Sequence, residues 1–495
     1  MTRAAHDHRV LLAGIVLVAI AVRLAGIGDG LSEDEGFSWL VGAAPDADTF
    51  LDRLAVYENT PPLFYLLLAP LPLDDEQWLR LPSLVAGVAC VPVLYLAVRP
   101  LLGARAALLA ALGLAVAPYA VNWSNFSRGF MLANLGLLIA LWGVVQLHRT
   151  ETRRWWWVYA AGAVIAIYSE YDAGLFLAAL IGTFAWMAPG RRVEILALGA
   201  LPALSLLPWL GEFLRSLDAL DETKAAPIYP APSPGSLRDS VVPLFAGEHG
   251  ASDSTGARTV QFALIVAALA AAFALLRARG RRDALYLLGL TALGTLALHA
   301  LATLVGPDIF AQRYLTSLVP LAVALLAGAV AEIRWRWAAP VATAVLLVLG
   351  VAVFAQRYDR ELEPSMDPVA AFIDQSGERA VLTNSARVAY YLRDLRPRLD
   401  RPLGFGADAE DACEPGCPPL VIVDDARAPA GVRTGPGRTY VFGPLHVRLR
   451  PSGSEPMPGG VQLRSGSADL QLGDARLSGP DRRRRGAHVA GDGPG

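Results

Sequence analysis

VLLAGIVLVAIAVRLAGI, residues 10–27, is an apolar run with a single arginine, and LSEDEGF follows it at residues 31–37. The length of this run is close to the about 20 apolar residues that a helix needs to cross a bilayer. Three adjacent carboxylates then follow within a few residues. This opening predicts a membrane-anchored chain with acidic groups just beyond its first helix.

The composition extends this prediction to the whole chain. Of the 495 residues, 54% are hydrophobic and only 18% are charged, whereas soluble proteins carry about a quarter charged residues. The apolar residues fall in long runs, which indicates an integral membrane protein and excludes a disordered chain, a coiled coil and a small disulfide-stapled domain. The formal net charge is −2, so no basic field points to nucleic acid.

The apolar runs predict a polytopic α-helical membrane protein with eleven transmembrane helices. The predicted spans are residues 10–28, 82–98, 106–121, 129–147, 155–169, 173–188, 193–211, 259–276, 284–304, 315–332 and 338–355. We interpret the first span as a retained anchor, because no small-residue cleavage site follows it.

Arginine placement sets the predicted orientation. The first outer loop, residues 29–80, holds only Arg53 and Arg80 against eleven acids, and most other arginines of the first 340 residues fall in the short loops of the opposite side. Cytoplasmic loops carry this excess of positive charge. We therefore expect a multi-pass protein of the cytoplasmic (inner) membrane, with a cytoplasmic N-terminus and an extracytoplasmic C-terminal domain.

Two apolar stretches of the outer loop are too short to span the membrane. Residues 61–72 are expected to lie in the outer interface. Before them, Phe50, Leu51, Leu54 and Tyr57 recur at helical spacing among charged residues, which predicts an amphipathic helix. This helix either lies on the membrane surface or packs on its own protein, and the sequence leaves both alternatives open.

The chain changes character after the last span. Residues 1–355 form the predicted transmembrane domain with its first outer loop 29–80, and residues 356–450 a small outer α/β domain. There we expect strands at 380–383, 420–423 and within 439–449, and a helix at 385–396. Residues 451–495 are rich in Gly, Pro and Ser and are expected to be disordered. Cys413 and Cys417 either form a disulfide in this outer domain or stay free.

Acidic side chains at the outer face are the first chemical candidates. Glu33, Asp34 and Glu35 follow the first span directly, and Glu170 and Asp172 lie on a short turn between two later spans. Carboxylates at such positions suit proton abstraction from a hydroxyl or binding of a divalent cation. The alternative for the first cluster is an ordinary solvated loop.

Four arginines at the same predicted depth are the second candidates. Arg23, Arg80, Arg128 and Arg313 all lie at outer ends of predicted spans. The guanidinium fork binds phosphate through paired charge-assisted hydrogen bonds, although each arginine singly also fits a snorkelling role. No zinc-hydrolase, P-loop or dinucleotide-binding motif occurs. A sugar carried on a lipid phosphate is already activated, so its transfer needs no nucleotide. A carboxylate would take the proton of the incoming hydroxyl, and arginines would stabilise the charge that develops on the departing phosphate.

Several ordered motifs resemble the bacterial membrane glycosyltransferases of the GT-C class. These motifs are LSEDEGF at 31–37, NTPPLFYLLL at 59–68, RLPS at 80–83, SRGFML at 127–132 and RYL at 313–315. Their order and span positions are similar to the family 39-like group, which includes protein mannosyltransferases and lipid A aminoarabinose transferases. The resemblance covers residues 1–335.

The resemblance implies roles for individual residues. Asp34 would be the catalytic base, with Glu35 supporting it or binding metal. Arg128 and Arg313 would line the donor phosphate, and Arg80 and Arg23 are further candidates for it. Glu33, Glu170, Asp172 and Asn59 are candidates for the acceptor or a metal; the only candidate cofactor is a divalent cation, Mg²⁺ or Mn²⁺.

The hypothesis is an inverting glycosyltransferase. It would move a sugar from a polyprenyl-phosphate donor to a hydroxyl of an envelope glycan, lipid or protein, with no nucleic-acid partner. The alternatives are a polytopic lipid or sugar transporter (flippase), which predicts ionisable residues inside the membrane and broken helices, and a non-catalytic envelope protein whose acid cluster is dispensable.

Overall fold

The computed structural model describes residues 3–58, 60–215, 231–247, 254–305 and 309–359, Tyr390, and seven strands between 380 and 472. The chain divides into two compact units. The first unit comprises Met1–Gly28 and Val41–Glu361, and the second comprises Asp29–Leu40 and Leu362–Gly495.

Helices occupy most of the described part of the first 359 residues. They are α1 Arg3–Leu24, α2 Glu33–Gly42, α3 Ala47–Tyr57, α4 Leu63–Leu68, α5 Glu76–Leu102, α6 Ala104–Val116, α7 Pro118–Ser124, α8 Phe130–Thr150, α9 Trp155–Ser169, α10 Ala173–Met187, α11 Arg192–Leu204, α12 Pro234–Ala246, α13 Thr255–Ala278, α14 Thr291–Val305, α15 Leu318–Glu332 and α16 Ala338–Asp359. A short helix, Arg282–Ala284, and a π-helical turn, Leu285–Leu290, lead into α14.

Helices lie at all eleven positions predicted to span the membrane, but length and hydropathy support fewer spans. Among the described residues, five helices are individually long and apolar enough to cross a membrane, and up to seven spans result if each of two bent pairs is one span. Helices α9 and α15 are apolar but have only 15 residues each, fewer than the about 20 that a span needs. The number eleven therefore stays a prediction.

The predicted single span at 106–121 is wrong in detail, because it consists of two helices. Helix α6 ends at Val116, α7 begins at Pro118, and the two are bent by 57°. Pro118 has no amide hydrogen to donate to the carbonyl of Leu114, so the helical ladder is interrupted there. A second bend, of 114°, separates α10 from the pair formed by Pro189–Arg191 and α11.

The two short apolar segments after α2 are helical, and their predicted place at the membrane interface stays a prediction. Helix α4 has six residues and buries Phe64, Tyr65 and Leu68. Asp46 caps the start of α3, and its carboxylate accepts a hydrogen bond from the amide of Thr49 at 2.8 Å. The apolar side of α3 is buried at Phe50 and Leu54, which favours the alternative that this helix packs on its own protein.

Helices α8 and α9 approach each other through glycines. A Cβ atom on Gly162 would lie 2.5 Å from the carbonyl oxygen of Gly136, and one on Gly143 would lie 2.6 Å from the amide nitrogen of Tyr159. Small residues let helix backbones come this close, which is the usual mode of helix packing in membranes. The close approach at Gly136, Gly143 and Gly162 therefore depends on the absence of a side chain there.

The described part of the second unit contains a mixed sheet. Its strands are β1 Ala380–Thr383, β2 Gly404–Phe405, β3 Leu420–Asp425, β4 Arg438–Phe442 and β5 Leu445–Arg450. They lie in the order β2-β1-β3-β5-β4. Strand β1 pairs in parallel with β2 and β3, whereas β5 pairs antiparallel with β3 and β4.

Strands β1 and β3 coincide with the predicted ones, and the segment 439–449 contains two strands instead of one. Two further strands, β6 Val461–Leu463 and β7 Leu470–Leu472, lie in the region for which composition predicts disorder. They pair antiparallel, so that their backbone amides and carbonyls bond to each other. The predicted helix 385–396, apart from Tyr390, lies outside the described residues, as do Cys413 and Cys417, so the α/β class of this domain stays a prediction.

Gly162→Ala should destabilise the protein, because its new Cβ meets backbone atoms that cannot move independently. We expect a loss of about 1–3 kcal/mol, which is typical of overpacking, measured as a lower melting temperature in detergent. Gly182→Ala on α10 is the matched control, since no atom lies within 4 Å of its added Cβ. Equal melting temperatures for the two variants would contradict the proposed close contact of α8 and α9.

Candidate active site

Arg128 occupies the loop between α7 and α8, and α5 holds this loop from both sides. The hydroxyl of Ser83 donates to the carbonyl of Arg128 at 2.9 Å, and the hydroxyl of Ser127 donates to the carbonyl of Leu79 at 2.9 Å. Ser83 and Ser127 are fully buried. Two hydrogen bonds that involve buried serines therefore place the backbone at Ser127 and Arg128.

The guanidinium group of Arg128 forms an ion pair with the carboxylate of Glu58. The same Nη1 atom donates to the hydroxyl of Tyr65 at 3.1 Å, and this hydroxyl lies 2.9 Å from Oγ1 of Thr60. Burial raises the pKa of Tyr65 above its usual range, the charge of Glu58 adds to the effect, and Arg128 opposes it. Tyr65 therefore keeps its proton and serves as a hydrogen-bonding hydroxyl.

Glu170 lies at the end of α9, buried beside the start of α8. A Cβ atom on Gly129 would lie only 2.6 Å from the carbonyl oxygen of Ser169 and 2.9 Å from Oε1 of Glu170, so a glycine is needed where these segments meet. Burial raises the pKa of Glu170 well above its usual value, and the negative charges of Asp172 and Glu58 act in the same direction.

Two arginines oppose this rise. Arg128 and then Arg313, on the 3₁₀ turn Gln312–Leu315, lower the pKa of Glu170 through their positive charge. Both predicted phosphate ligands therefore act on one buried carboxyl group. Glu58, Arg128, Glu170 and Arg313 form a polar cluster in the first unit, which we call the arginine site.

Asp172 leads from this cluster to a histidine inside the helix bundle. Nε2 of His299 lies 3.4 Å from Oδ2 of Asp172, and Nδ1 lies 2.9 Å from the carbonyl oxygen of Thr295. A carbonyl only accepts hydrogen bonds, so this contact assigns the ring proton to Nδ1. A hydrogen bond between Nε2 and Asp172 then requires a proton on one of the two partners.

The structure does not support Arg23 as a phosphate ligand. Its side chain is 0% exposed, and Nε donates to Oγ of Ser124 at 3.0 Å. Its Nη atoms donate to the carbonyl oxygens of Ala115 at 2.7 Å and Leu114 at 3.4 Å. These carbonyls lie at the end of α6, where Pro118 has no amide hydrogen to donate. Arg23 therefore caps the broken end of α6, a structural role that the sequence interpretation missed.

Arg80 also binds backbone. It is buried, and its Nη1 donates to the carbonyl oxygen of Ile27 at 3.0 Å, just after α1. The side-chain amide of Asn125 likewise donates a hydrogen bond to the carbonyl oxygen of Ala25 at 3.0 Å. These contacts fix the end of the first predicted span and favour a structural role for Arg80 over the predicted phosphate contact.

The acid cluster of LSEDEGF lies in the second unit, on the first turn of α2. Oε2 of Glu35 accepts hydrogen bonds from the amide (3.0 Å) and the hydroxyl (3.2 Å) of Ser32, and the hydroxyl of Ser32 faces the amide of Glu35 at 3.4 Å. This reciprocal pattern is a capping box. Glu35 is 1% exposed and is held as a cap, whereas the side chain of Asp34 is partly exposed.

Two further predicted residues are not described at side-chain level. Glu33 begins α2, but its side chain lies outside the described part, and Asn59 lies outside the described residues altogether. Across the described ranges, no group of three or more His, Cys, Asp or Glu side chains is arranged to hold a metal ion. The divalent cation stays a prediction.

Sequence reasoning missed three residues of this region. Glu58 precedes the NTPPLFY motif directly, and Tyr65 lies within it, so attention to the flanks of that motif would have found both. His299 lies inside a predicted span, where an ionisable residue is by default a candidate for function. The sequence contains no signal that pairs Glu58 with Arg128.

Glu170→Gln should become more stable than the parent protein as the pH rises. Because the folded pKa of Glu170 is raised, the stability that its proton supplies is complete below its ordinary pKa of 4.5 and is lost as the pH rises through the raised value. The difference in melting temperature between variant and parent should therefore increase from about pH 5 to about pH 8.

Asp46→Asn is the control for this titration, because the pKa of Asp46 is lowered by its hydrogen bond from the amide of Thr49. Its effect should have the opposite sign, with the variant less stable than the parent above the ordinary carboxyl pKa. A difference for Glu170→Gln that stays flat or falls over the same pH range would show that the carboxyl group titrates normally.

Comparison with known proteins agrees with this architecture. Residues 59–210 match the family model described as dolichyl-phosphate-mannose-protein mannosyltransferase. This segment contains Tyr65, Arg80, Arg128, Glu170 and Asp172. A comparison of the sequence with curated proteins finds no match.

Solved structures share the fold. The crystal structure of ArnT from Cupriavidus metallidurans in the apo state matches with a TM-score of 0.62 and 15% identity, over 90% of this chain and 98% of that one. The same protein bound to undecaprenyl phosphate matches with a TM-score of 0.57 and 15% identity, over 90% and 99%. The matched segment and the shared fold confirm the resemblance drawn from the sequence: this chain resembles the GT-C class membrane glycosyltransferases, and its residues 59–210 are similar to the mannosyltransferase family model.

Proposed function

We propose that the protein is an inverting glycosyltransferase that moves a sugar from a polyprenyl-phosphate donor to a hydroxyl of a cell-envelope acceptor. The observation that carries the proposal is the arginine site, where Arg128 and Arg313 act on one buried carboxyl group. Such a pair suits a phosphate monoester or diester head, because the guanidinium group binds phosphate oxygens with strong, directional hydrogen bonds. The family match and the undecaprenyl phosphate bound to ArnT support the choice of a lipid phosphate.

The ion pair between Arg128 and Glu58 offsets the burial of both charges. A charged group that is mostly removed from water is costly unless it is paired or hydrogen-bonded. Glu58 supplies that partner, and Tyr65 supplies a neutral hydroxyl beside it. A donor phosphate would compete with the carboxylate for the same guanidinium group, so binding of the donor and release of Glu58 are expected to be linked.

The proposed reaction needs one base and one site for developing charge. Asp34 takes the proton of the acceptor hydroxyl, and the oxygen of that hydroxyl attacks the anomeric carbon of the donor sugar. The bond between that carbon and the phosphate oxygen breaks, and the lipid phosphate leaves with the electron pair. Arginines that bind the phosphate stabilise the charge that develops on it. A single displacement of this kind inverts the anomeric configuration.

The two acids of the LSEDEGF motif then have different roles. The partly exposed Asp34 keeps the role of the base. Glu35, bonded to Ser32 at the start of α2, is a positioning residue that holds this turn. Glu33, Glu170, Asp172 and Asn59 stay candidates for binding the acceptor or a divalent cation.

The proposed location is the outer face of the cytoplasmic membrane. The arginine bias of the sequence supports it, with eleven spans, a cytoplasmic N-terminus and an extracytoplasmic C-terminal domain. The acceptor is an envelope glycan, lipid or protein. All of these share a hydroxyl nucleophile, so the chemistry assigned to Asp34 is the same for each.

A transporter is the second candidate function, and two observations favour it. His299 is buried within α14 and faces Asp172, and two helix pairs are bent. Ionisable residues inside the membrane and broken helices are typical of transporters. The bend before α7 has a structural explanation in Pro118 and Arg23, so the observations on balance support the transferase.

Asp34→Asn should abolish sugar transfer, since an amide cannot accept the proton. In membranes supplied with a radiolabelled polyprenyl-phosphate sugar, we expect a fall of about 10²–10⁴-fold, the usual contribution of a positioned base. Glu35→Gln is the matched control, because glutamine preserves a capping box, and it should retain most of the activity. Full transfer by Asp34→Asn would refute the assigned base, and movement of labelled lipid without any transfer product would favour the transporter.

Arg128→Gln should weaken binding of undecaprenyl phosphate to the purified protein. Loss of one charge-assisted contact to phosphate is expected to raise the Kd about tenfold or more, measured by quenching of tryptophan fluorescence. Arg281→Gln removes an arginine of the same unit that pairs with Glu332, and it should leave the Kd unchanged. Equal affinities of the parent and Arg128→Gln would remove Arg128 from the donor site.

A further inference from the structure

Asn134 and Thr316 form a polar contact inside the helix bundle of the first unit. Both residues are buried, and Asn134 points its amide from α8 toward the residues that precede α15. Its Nδ2 atom donates to Oγ1 of Thr316 at 2.8 Å and to the carbonyl oxygen of Phe130 at 2.9 Å. Both hydrogens of the amide group are therefore used.

This contact joins the two segments that carry the predicted phosphate ligands. Arg128 lies just before the start of α8, and Arg313 lies on the 3₁₀ turn just before Thr316. The rings of Phe130 and Tyr314, one from each segment, meet edge to face with their centroids 6.2 Å apart. The polar contact thus lies one to two turns deeper in the bundle than the arginines.

A buried amide is costly in an apolar bundle unless it is hydrogen-bonded. Packing around the contact is incomplete, because Asn134 and Thr316 line a small cavity of about 10 Å³ together with Cys90, Trp123 and Pro320. This volume is about that needed for a single water molecule. The hydrogen bond therefore adds to the ring contact of Phe130 and Tyr314 in holding the two segments together.

We propose that the Asn134–Thr316 hydrogen bond is a clasp that sets the spacing of Arg128 and Arg313, so that both guanidinium groups reach one lipid phosphate. The inference rests on the proposed function and adds two positioning residues to it. The clasp acts through the arginines and does not itself touch the donor.

The first test measures binding of undecaprenyl phosphate to the purified full chain. Thr316→Val removes the accepting hydroxyl with little change of shape, and Asn134→Leu removes the donor. Each should raise the Kd about three- to tenfold, which is the range of one interhelical hydrogen bond in a membrane. The double variant should bind no more weakly than the weaker single variant, since both remove the same contact.

Two matched variants separate positioning from general stability. Thr316→Ser keeps the hydroxyl and should restore parental affinity. Tyr159→Phe removes another interhelical bond of the same unit, from the Tyr159 hydroxyl to the carbonyl oxygen of Gly199 at 2.8 Å, and should leave the Kd unchanged. Parental affinity of Thr316→Val, or an equal loss of affinity in Tyr159→Phe, would overturn the clasp.

A second measurement needs no ligand and keeps the two proposals distinguishable. With Cys413 and Cys417 replaced by serine, spin labels at Phe126 and Gln312 report the spacing of the two segments by pulsed electron resonance. Thr316→Val should broaden the distance distribution, and Thr316→Ser should not. An unchanged distribution would overturn the clasp, whereas absent binding in the parent protein would overturn only the proposed lipid-phosphate donor.

Discussion

A guanidinium group that is largely removed from water must have its charge and its hydrogen-bond donors satisfied, and the site follows from this constraint at Arg128. Glu58 supplies the opposite charge there, and the nearby hydroxyl of Tyr65 completes the contact. The local field then extends to Glu170, whose carboxyl group is driven toward its protonated form by burial and by its acidic neighbours. In the proposed function, a ligand phosphate would meet the positive charge of Arg128 and would replace Glu58 as the partner of that guanidinium group.

The contact of α8 with α9 brings these groups together. Glycines at the crossing remove the side chains that would hold the helices apart, and Gly129 extends the same principle to the loop that carries Arg128. Helix packing therefore contributes to assembly of the site. A methyl group at Gly129 would press on the carbonyl oxygen of Ser169 and on Oε1 of Glu170, and so act directly on the site.

The arginines of this chain show how burial and partners decide the role of one residue type. Arg23 lies deepest, and its donors satisfy carbonyl groups that Pro118 leaves open at the end of α6. Arg80 binds the backbone after α1. Arg128 instead pairs with the carboxylate of Glu58, and the charges of Arg128 and Arg313 both lower the pKa of Glu170, which is why we propose this pair for the donor phosphate. The clasp of Asn134 and Thr316 would give this pair a defined spacing.

The sequence by itself indicated a polytopic helical membrane protein, and helices lie at all eleven of its predicted spans, because long apolar runs are typical of helices in a bilayer. It did not predict α2, α4 or α12 as helices. It also identified Arg128, Arg313, Glu170 and the LSEDEGF acids as candidates, from their location at predicted span ends. Only the tertiary structure decided that Arg23 caps a broken helix and that Glu58 pairs with Arg128. Those outcomes depend on which side chains meet across segments distant in sequence, and hydrophobic periodicity along one chain contains no information about such pairings.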